Sequence, residues 1–429
     1  MTRYKETDQA KLFEYYQDSK YRLEDGLNSL DRLIPSSQTT HYTHGIHHYV
    51  AKFMPQYPLL FIRLLSKPND IVLDPMCGSG TTLIESVLNE RNAYGIDIDP
   101  LARLISKVAT TPLSEKKNNA LRDWYTNIIK NPKKSILKKY HLEKVPNHKI
   151  WFRDDILQTI FYLKEEIDKI EDSESRDVAK VALSRIIKEV SNADPRDAMP
   201  EINHEHPVNE QADVWQSYSN SLERTLEKIY EFSNRYRNKK IRAKIIGNDG
   251  RKINLQDNQV DLIITSPPYA YAMDYGRIHK LSMFTVLELS GEELKELSKE
   301  YVGTDRVSVK EELQTISALN FAKPFIEKLR LKDKRRALSL QKYLIDMYKI
   351  TQECTRVLKK GGYFVYIIGN STLAKEEFSS ANALKMMGEQ FGLVVQLTHE
   401  RPYYMRSMGQ KRASHSAVTK SDVFIIFRK

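Results

Sequence analysis

Short apolar runs that alternate with helical patterns constrain the fold of this chain more than any other feature. Asp70-Ile-Val-Leu-Asp74 has the pattern of a short buried strand, a helical pattern follows over 81–89, and residues 92–97 predict a second strand. Strands that alternate with helices favour a parallel sheet with right-handed crossovers, so we predict an α/β fold. Further elements are predicted over 55–65, 244–247, 260–264, 339–358, 363–368, 382–391, 394–398 and 422–427.

Two blocks interrupt this alternation. Residues 113–242 are charged and helix-rich, and the apolar residues of 176–190 recur at amphipathic helical spacing. A second irregular stretch precedes the long helix predicted from residue 339. We therefore predict an N-terminal helical segment over 1–40, a core over 41–112 and 243–429, a helical insertion over 113–242 and a second insertion over 283–338.

Composition narrows the classes of protein to consider. Lys and Arg number 67 against 56 for Asp and Glu, and the net charge of +11 favours a polyanionic partner such as nucleic acid. Two cysteines provide neither a disulfide framework nor a metal-binding pattern, which is typical of a reducing cytoplasm. No apolar run is long enough to span a membrane, and the N-terminus lacks the apolar stretch of a signal peptide.

A glycine turn ends the first predicted strand. Its sequence is Asp74-Pro-Met-Cys-Gly-Ser-Gly80, and Thr81 opens the next helix. Small residues let the backbone turn sharply and approach a ligand, and the ligand crevice of an open α/β sheet lies beyond the carboxyl ends of its strands. Asp97, after the second strand, occupies the position that accepts hydrogen bonds from ribose hydroxyls. Asp99 precedes Pro100 and is expected to cap a helix instead.

The fourth predicted strand runs into Thr265-Ser-Pro-Pro-Tyr269. Proline cannot donate to a strand ladder, so Pro267 and Pro268 are expected to end this strand. Rigid main-chain carbonyls and the Ser266 hydroxyl can accept hydrogen bonds from an amino group, and Tyr269 can stack on a flat ring. Such a group of residues suits the exocyclic amine of a nucleobase. Asp249 follows the third strand and can accept a hydrogen bond from a purine amine, although Asn-Asp-Gly is also an ordinary turn.

Together these motifs resemble the S-adenosylmethionine-dependent DNA amino-methyltransferases. The resemblance rests on Asp-Pro-x-Cys-Gly-Ser-Gly-Thr-Thr followed by Thr-Ser-Pro-Pro-Tyr, and it covers about 41–110 and 244–429. Ser-Pro-Pro-Tyr resembles the N4-cytosine branch, whereas the adenine branch more often has Asp or Asn in place of Ser266. Thr43 to Pro55 resembles the family segment that closes over the methionine moiety of the cofactor. The order departs from the common N4-cytosine arrangement, in which the catalytic loop precedes the cofactor motifs.

The resemblance implies a Rossmann-like methyltransferase sheet, mostly parallel with an antiparallel C-terminal strand, and a helical insertion lobe. It implies S-adenosyl-L-methionine as cofactor, double-stranded DNA as substrate with the target base flipped out, and a cognate restriction endonuclease as a possible partner. The implied catalytic residues are Ser266, Pro267, Pro268 and Tyr269. The implied cofactor-binding residues are Tyr49, Lys52, Phe53, Asp74, Pro75, Cys77, Gly78, Ser79, Gly80, Thr81, Asp97, Ile98, Asp249 and Thr265.

Several alternatives remain open from the sequence. An N6-adenine DNA methyltransferase is the nearest, because adenine presents a similar amine; an RNA base-amine methyltransferase and a DNA-binding protein with an inactive core are the others. A nicotinamide oxidoreductase is disfavoured because the glycine turn lacks G-x-G-x-x-G spacing. Carbon-5 cytosine methylation is disfavoured because it needs a cysteine nucleophile, usually in Pro-Cys, and no Pro-Cys occurs.

Two further groups of residues are less specific. His44 and His48 are four residues apart, but no nearby acid completes a metal site in the sequence, so we expect them to pack around substrate or cofactor and expect no metal. Residues 401–412 mix cations with aromatic residues between the last two strands, a composition that suits phosphates and unpaired bases but also an ordinary basic loop.

Overall fold

A mixed β-sheet forms the centre of the molecule. The computed structural model describes residues 23–28, 39–50, 52–130, 139–197, 199–202, 208–236, 240–270, 275–308, 316–402 and 421–429. The strands are β1 (Ile71–Asp74), β2 (Asn92–Ile96), β3 (Ala243–Gly247), β4 (Val260–Thr265), β5 (Leu358–Ile368), β6 (Ser371–Leu373), β7 (Glu376–Phe378), β8 (Val394–Pro402) and β9 (Ser421–Arg428). Within the described residues the central sheet has the order β3-β2-β1-β4-β5-β9-β8, and β6 pairs with β7 separately.

The direction of the strands confirms the predicted α/β sheet. Strands β3, β2, β1, β4 and β5 pair in parallel, whereas β9 lies antiparallel between β5 and β8. The last strand of the chain is therefore the antiparallel one, as expected. Because five neighbouring strands point the same way, their carboxyl ends, and the loops that follow them, meet at one edge of the sheet.

Helices cover the sheet. They are α1 (Gln56–Leu65), α2 (Thr81–Leu88), α3 (Pro100–Ala109), α4 (Glu115–Ile129), α5 (His148–Trp151), α6 (Asp154–Asp168), α7 (Ser173–Ile186), α8 (Val214–Arg235), α9 (Tyr275–Ile278), α10 (Lys280–Thr285), α11 (Gly291–Glu300), α12 (Lys323–Lys332), α13 (Lys334–Val357) and α14 (Ser380–Gln390). Short 3-10 turns occur at Tyr42–Gly45, Leu142–Lys144 and Ser317–Ala322. Across the described residues, every helix is too short or too polar to pass through a bilayer.

Alternating strand residues divide the core between the two faces of the sheet. Val72 and Leu262 face a cluster that includes Phe61 of α1, whereas Leu73 and Ile263 face a cluster that includes Leu340 of α13. Side chains of a strand point alternately to opposite faces, so each buried strand supplies both layers.

The helices of the 113–242 block share one apolar cluster with α2 and α3. Leu222, Leu226 and Ile229 follow one face of α8 and belong to the same cluster as Leu83 of α2 and Leu101 of α3. The i, i+4 and i+3 spacing places these α8 side chains on a single stripe. The block therefore packs directly on the helical layer of the core.

The long helix ends at Val357, one residue from its predicted end at residue 358, and the glycine pair Gly361-Gly362 follows it. Two glycines after a long helical pattern predict its end, and this pair lies inside β5, after the end of α13. Val260 pairs with Leu358 while Leu262 pairs with Tyr363, so β5 bulges over these residues. Gly361 has a φ of +80°, which a glycine adopts without steric cost.

Candidate active site

A cleft lies beyond the carboxyl ends of β1 to β4. It encloses about 690 Å³, its open mouth included, which falls within the usual range for small-molecule sites. Its walls come from strand ends that are far apart in sequence. The lining residues are Tyr49, Val50, Pro75, Met76, Gly78, Asp97, Ile98, Asp249, Gly250, Arg251, Ser266, Pro268, Tyr301, Val302 and Ile350.

The glycine turn and Asp97 form one wall. Gly78 has a φ of +50° and its amide donates a 2.7 Å hydrogen bond to Asp97 Oδ2. A Cβ added at Gly78 would come within 3.5 Å of the Tyr49 ring, so the missing side chain leaves room between turn and ring. Asp97 Oδ1 accepts a bond from the Asp99 amide at 2.9 Å. Each carboxylate oxygen keeps a second lone pair, which a hydroxyl donor in the cleft can use.

Asp99 caps α3, as its position before Pro100 predicts. Asp99 Oδ1 accepts hydrogen bonds from the amides of Leu101 and Ala102 at 2.8 and 3.1 Å. Burial, and then the neighbouring Asp97 carboxylate, raise the pKa of Asp99 to about 7. Asp97 and Asp99 therefore have different roles: one faces the cleft, and the other holds the helix beneath it.

Asp74 and Thr265 brace the site from below instead of facing the cleft. Both are completely buried, and Thr265 Oγ1 donates to Asp74 Oδ1 at 2.8 Å. Thr82 Oγ1 donates to the other oxygen, Oδ2, at 2.7 Å. Burial raises the pKa of Asp74 to about 6, against these hydrogen bonds. Thr265 is the last residue of β4 and not part of the mouth, because its hydroxyl is drawn inward to Asp74.

An arginine that sequence reasoning missed holds Asp249, which lines the cleft after β3. Arg251 Nε donates to Asp249 Oδ1 at 2.9 Å, and its two terminal nitrogens reach Asp346 and Glu300, each at 3.0 Å. Burial works against ionisation of Asp249, but the bonds from Arg251 prevail and lower its pKa. Asp249 is thus an ionised, pre-positioned acceptor.

The catalytic loop predicted after β4 contributes two residues to the wall. Ser266 and Pro268 line the cleft, while Pro267 is buried beneath them. The Ser266 side chain makes no hydrogen bond with any residue that the structure describes, which leaves its oxygen available to a ligand. Tyr269 is 36% exposed and stands just outside the lining residues.

The segment before α1 contributes Tyr49 and Val50 to the cleft lining, but not the predicted residues Lys52 and Phe53. Lys52 is half-buried, and its Nζ donates to the carbonyl oxygens of His44 and His47 at 2.8 and 3.4 Å. Phe53 packs beside the cluster that contains α1. Neither residue belongs to the cleft lining, so both position the segment from behind.

Glu85 is the acid beside His44, but the second histidine of the group is His41 and not His48, with which the sequence paired His44. His44 Nε2 and His41 Nε2 lie 2.8 and 3.3 Å from Glu85 Oε1, and the three potential metal-ligand atoms are within 4.8 Å of one another. Burial opposes ionisation of Glu85, yet the two imidazole hydrogen bonds lower its pKa to about 2. These lengths are those of hydrogen bonds, and the group ties the Tyr42–Gly45 turn to α2.

Four other predicted cofactor residues belong to the glycine turn or directly follow it, and none of them is among the cleft-lining residues. Burial raises the pKa of the Cys77 thiol well above its ordinary value, and its sulfur lies 3.7 Å from Ser106 Oγ. Gly80 has a φ of +87° and precedes α2, and an added Cβ would come within 3.1 Å of Ser106. Ser79 and Thr81 are buried beside it. These residues shape the turn and do not contact the cleft.

The basic residues of 401–412 are only partly described. Arg401 Nη1 donates to the Tyr57 hydroxyl at 2.6 Å, and that hydroxyl donates to Asp422 at 2.8 Å. Arg401 is therefore part of an internal network and not an exposed phosphate contact. Residues 403–412 lie outside the described residues.

Tyr301, Val302 and Ile350 were also missed. The first two follow α11 and the third lies in α13, about 30 to 85 residues beyond the catalytic loop. No local motif marks them: Tyr301 and Val302 reach the cleft through the packing of the second irregular block, and Ile350 reaches it from α13.

Comparison with known proteins supports one family. A family model described as DNA methylase, whose name joins the N6 and N4 branches, matches residues 3–108 and 260–429, which is more than half of the chain. The type II methyltransferase M.MvaI of Kocuria varians is 27% identical over 365 residues, 79% of each chain. The type II methyltransferase M.MjaII of Methanocaldococcus jannaschii is 41% identical over 76 residues, which span 18% of this chain and 14% of that protein.

Among solved structures, a SAM-dependent methyltransferase of Methanosarcina mazei covers 86% of this chain and 96% of its own. Its identity is 9% and the TM-score is 0.33. A TM-score of this size is too low to support a conclusion about the site or its substrate.

Proposed function

This chain belongs to the DNA methylase family that joins the N6 and N4 branches, and we propose that it methylates the exocyclic N4 of cytosine in double-stranded DNA. The observation that carries the proposal is the position of Ser266, whose side chain lines the same cleft as Gly78 and Asp97. A small hydroxyl acceptor beside the proposed methyl-donor site suits an amine that must approach an activated methyl group.

The methyl donor of this DNA methyltransferase is S-adenosylmethionine, and a cleft of about 690 Å³ is of the size that holds a small molecule. When bound, S-adenosylmethionine supplies an electrophilic methyl group on its sulfonium centre. We propose that Asp97 accepts hydrogen bonds from the ribose hydroxyls and that Gly78 allows close backbone approach. Asp249, fixed by Arg251, accepts from the adenine amine, and Tyr49 closes the cleft on the side of the methionine moiety.

The catalytic loop then orients the base. Tyr269, exposed at the mouth, stacks on a base that has been swung out of the duplex. Ser266 Oγ and the main-chain carbonyl of Pro267 accept hydrogen bonds from the amine and turn its nitrogen lone pair toward the cleft. A proton released by the amine passes to a neighbouring acceptor or to water. No covalent adduct with the base is needed, and burial raises the pKa of both Cys77 and Cys354 well above the ordinary thiol value.

A restriction-modification role is the biological setting that we propose. M.MvaI and M.MjaII are both named type II methyltransferases, and the basic charge of this chain suits DNA. We propose a cognate endonuclease as partner and residues 113–242, with 283–338, as the parts that select the DNA site. Exchange of the 113–242 block with that of a related enzyme is then expected to change which sites become methylated.

The decisive experiment identifies the product. Plasmid DNA is incubated with the protein and S-adenosylmethionine, digested to nucleosides, and analysed by mass spectrometry, with Ser266→Ala as the matched control. We expect N4-methyldeoxycytidine, and we expect the variant to form it about tenfold to a hundredfold more slowly. N6-methyldeoxyadenosine alone would establish the adenine branch instead, and methylation of RNA alone would refute a DNA substrate.

A further inference from the structure

A cluster of nitrogen-bearing side chains lies beside the cleft, between the segment that precedes α1 and the helices α7 and α8. Arg185 of α7 donates through Nη2 to His48 Nε2 at 2.9 Å. Arg224 of α8 reaches the same place, since its Nη2 lies 3.8 Å from the position of a Cβ on Gly45. Lys52 is held there by its bonds to two carbonyl oxygens. We call Lys52, His48, Arg185 and Arg224 the cation cluster.

Buried nitrogen atoms in and next to the cation cluster lack hydrogen-bond partners among the described residues. Arg185 Nη1 is buried without a hydrogen-bond partner among the described residues. Both ring nitrogens of His47 and Nε2 of His279 also lack a hydrogen-bond partner among the described residues. Each of these two histidines is less than a tenth exposed. Buried polar groups in proteins are nearly always hydrogen-bonded, so a group of unsatisfied nitrogens in one place indicates a missing partner.

The positive charges of Arg185, Arg224 and Lys52 indicate that the missing partner is an anion. Burial first, and then Arg224, lower the pKa of Arg185, and burial with Arg185 lowers the pKa of Lys52 to about 8. The carboxylate of Glu189 acts in the opposite direction and favours the charged forms of Arg185 and His48. Glu189 is exposed, however, and its Oε1 accepts a hydrogen bond from Ser217 Oγ at 2.6 Å. Partly buried cations that repel one another are stabilised by an anion.

The cation cluster is continuous with the cleft. The Tyr49 ring, which lines the cleft, stacks on His279 with centroids 4.8 Å apart, and His279 lies 6.1 Å from His47. Ser282 Oγ donates to the carbonyl oxygen of Ser184, which joins the element after the catalytic loop to the end of α7. His48 and Arg224 are exposed at the rim, whereas Arg185 is half-buried. An anion can therefore enter from solvent on the same side as the target base.

We propose that the cation cluster is a phosphate-binding site that takes a phosphodiester group of the bound DNA strand, next to the nucleotide that enters the cleft. The inference rests on the proposed DNA substrate but not on which base is methylated. Arg185 offers a planar fork of donors to the phosphate oxygens, and Lys52, His48 and Arg224 add donors around it. This contact makes α7 and α8 a part of the DNA-binding surface.

The test measures DNA affinity across a salt titration, by fluorescence anisotropy of a labelled duplex, for the wild type, Arg185→Gln and Arg224→Gln. The matched control is Lys107→Gln, which removes the same charge from an exposed lysine paired with Asp177 at the far end of α3. We expect each cluster variant to reduce the slope of log K against log salt by about one unit, the value for one lost phosphate contact, and the control to leave it unchanged. Calorimetry is expected to show unchanged affinity for S-adenosylmethionine.

Three outcomes would overturn the proposal. If the cluster variants and Lys107→Gln have equal slopes of log K against log salt, the cation cluster does not contact a phosphate. Weaker binding of S-adenosylmethionine with an unchanged DNA slope would assign the cation cluster to the carboxylate of the methyl donor. DNA that raises the melting temperature of Arg185→Gln as much as that of the wild type would also count against it. Arg224 is exposed, so its variant provides the readout even if Arg185→Gln fails to fold. An error in the proposed base would appear only in the product analysis.

Discussion

Thr265 Oγ1 donates a hydrogen bond of 2.8 Å to Asp74 Oδ1, across 191 positions of the chain. The bond joins the end of β4, from which the catalytic loop starts, to the end of β1, from which the glycine turn starts. Because both residues are completely buried, the bond sets the spacing between the two halves of the cleft without touching a ligand.

Removal of the hydrogen bond between Thr265 and Asp74 is expected to destabilise the fold. Thr265→Val should lower the free energy of unfolding by about 1–3 kcal/mol, because it deprives a buried carboxylate of a hydrogen bond. Urea denaturation measures the loss. Thr225→Val is the matched control, since Thr225 is equally buried but bonds to the carbonyl oxygen of Ser221 in its own helix. If the two variants lose the same free energy of unfolding, the hydrogen bond between Thr265 and Asp74 has no special role in stability.

Asp97→Asn is expected to weaken binding of S-adenosylmethionine about tenfold or more, which corresponds to about 1.4 kcal/mol per factor of ten. The change keeps the size of the side chain but removes the charge that hydroxyl donors meet, and it leaves one backbone amide without its acceptor. Isothermal titration calorimetry is the measurement. Asp70→Asn, at the opposite end of β1, serves as control. Similar dissociation constants for the two variants would remove Asp97 from the cofactor site.

Ser266→Ala is expected to lower kcat about tenfold to a hundredfold and to leave DNA affinity nearly unchanged. The hydroxyl acts on the amine during the reaction, so its loss costs about 1–3 kcal/mol in the transition state. Single-turnover methylation and anisotropy separate the two effects. Ser282→Ala is the control, because that hydroxyl bonds to the main chain of Ser184 and lies away from the cleft lining. A wild-type rate for Ser266→Ala would refute its proposed role.

Tyr269→Ala is expected to impair both turnover and DNA affinity, because a stacked aromatic ring contributes about 1–3 kcal/mol per base. Tyr269→Phe keeps the ring and should retain most of the affinity. The same two assays apply. If Ala and Phe variants bind DNA equally well, the ring does not stack on the base.

Asp99 predicts a pH dependence of stability. Its pKa in the folded protein is raised from 3.8 to about 7, so the folded state holds a proton that the unfolded state releases. The protonated Asp99 therefore makes its full contribution to the free energy of unfolding below about pH 4, and this contribution is lost as the pH rises to about 7. Asp99→Asn keeps a capping oxygen without the charge, so its stability relative to the wild type should increase through that window and then level off. Asp213→Asn, an exposed cap of α8, should show no such increase in thermal unfolding, and a parallel increase would contradict the explanation.

The sequence alone was sufficient to predict the alternating strands and helices and the cap at Asp99, whereas the antiparallel last strand was implied by the family resemblance. Periodicity and caps depend on neighbours within a few residues, and such short-range rules are legible in a linear sequence. The motifs at strand ends also predicted which segments meet at the cleft, because parallel strands bring their carboxyl ends to one edge.

Only the tertiary structure decided which side chains face the cleft and which support it. Asp74 and Thr265 resemble cofactor residues in the sequence, yet each satisfies the other in the core. Arg251 forms a hydrogen bond with Asp346, 95 positions away in the sequence, and Glu85 forms one with His44, 41 positions away. No local pattern records such pairs, because a buried polar atom takes its partner from whatever element packs against it. The same long-range packing assembles the cation cluster from a loop and two helices of the 113–242 block.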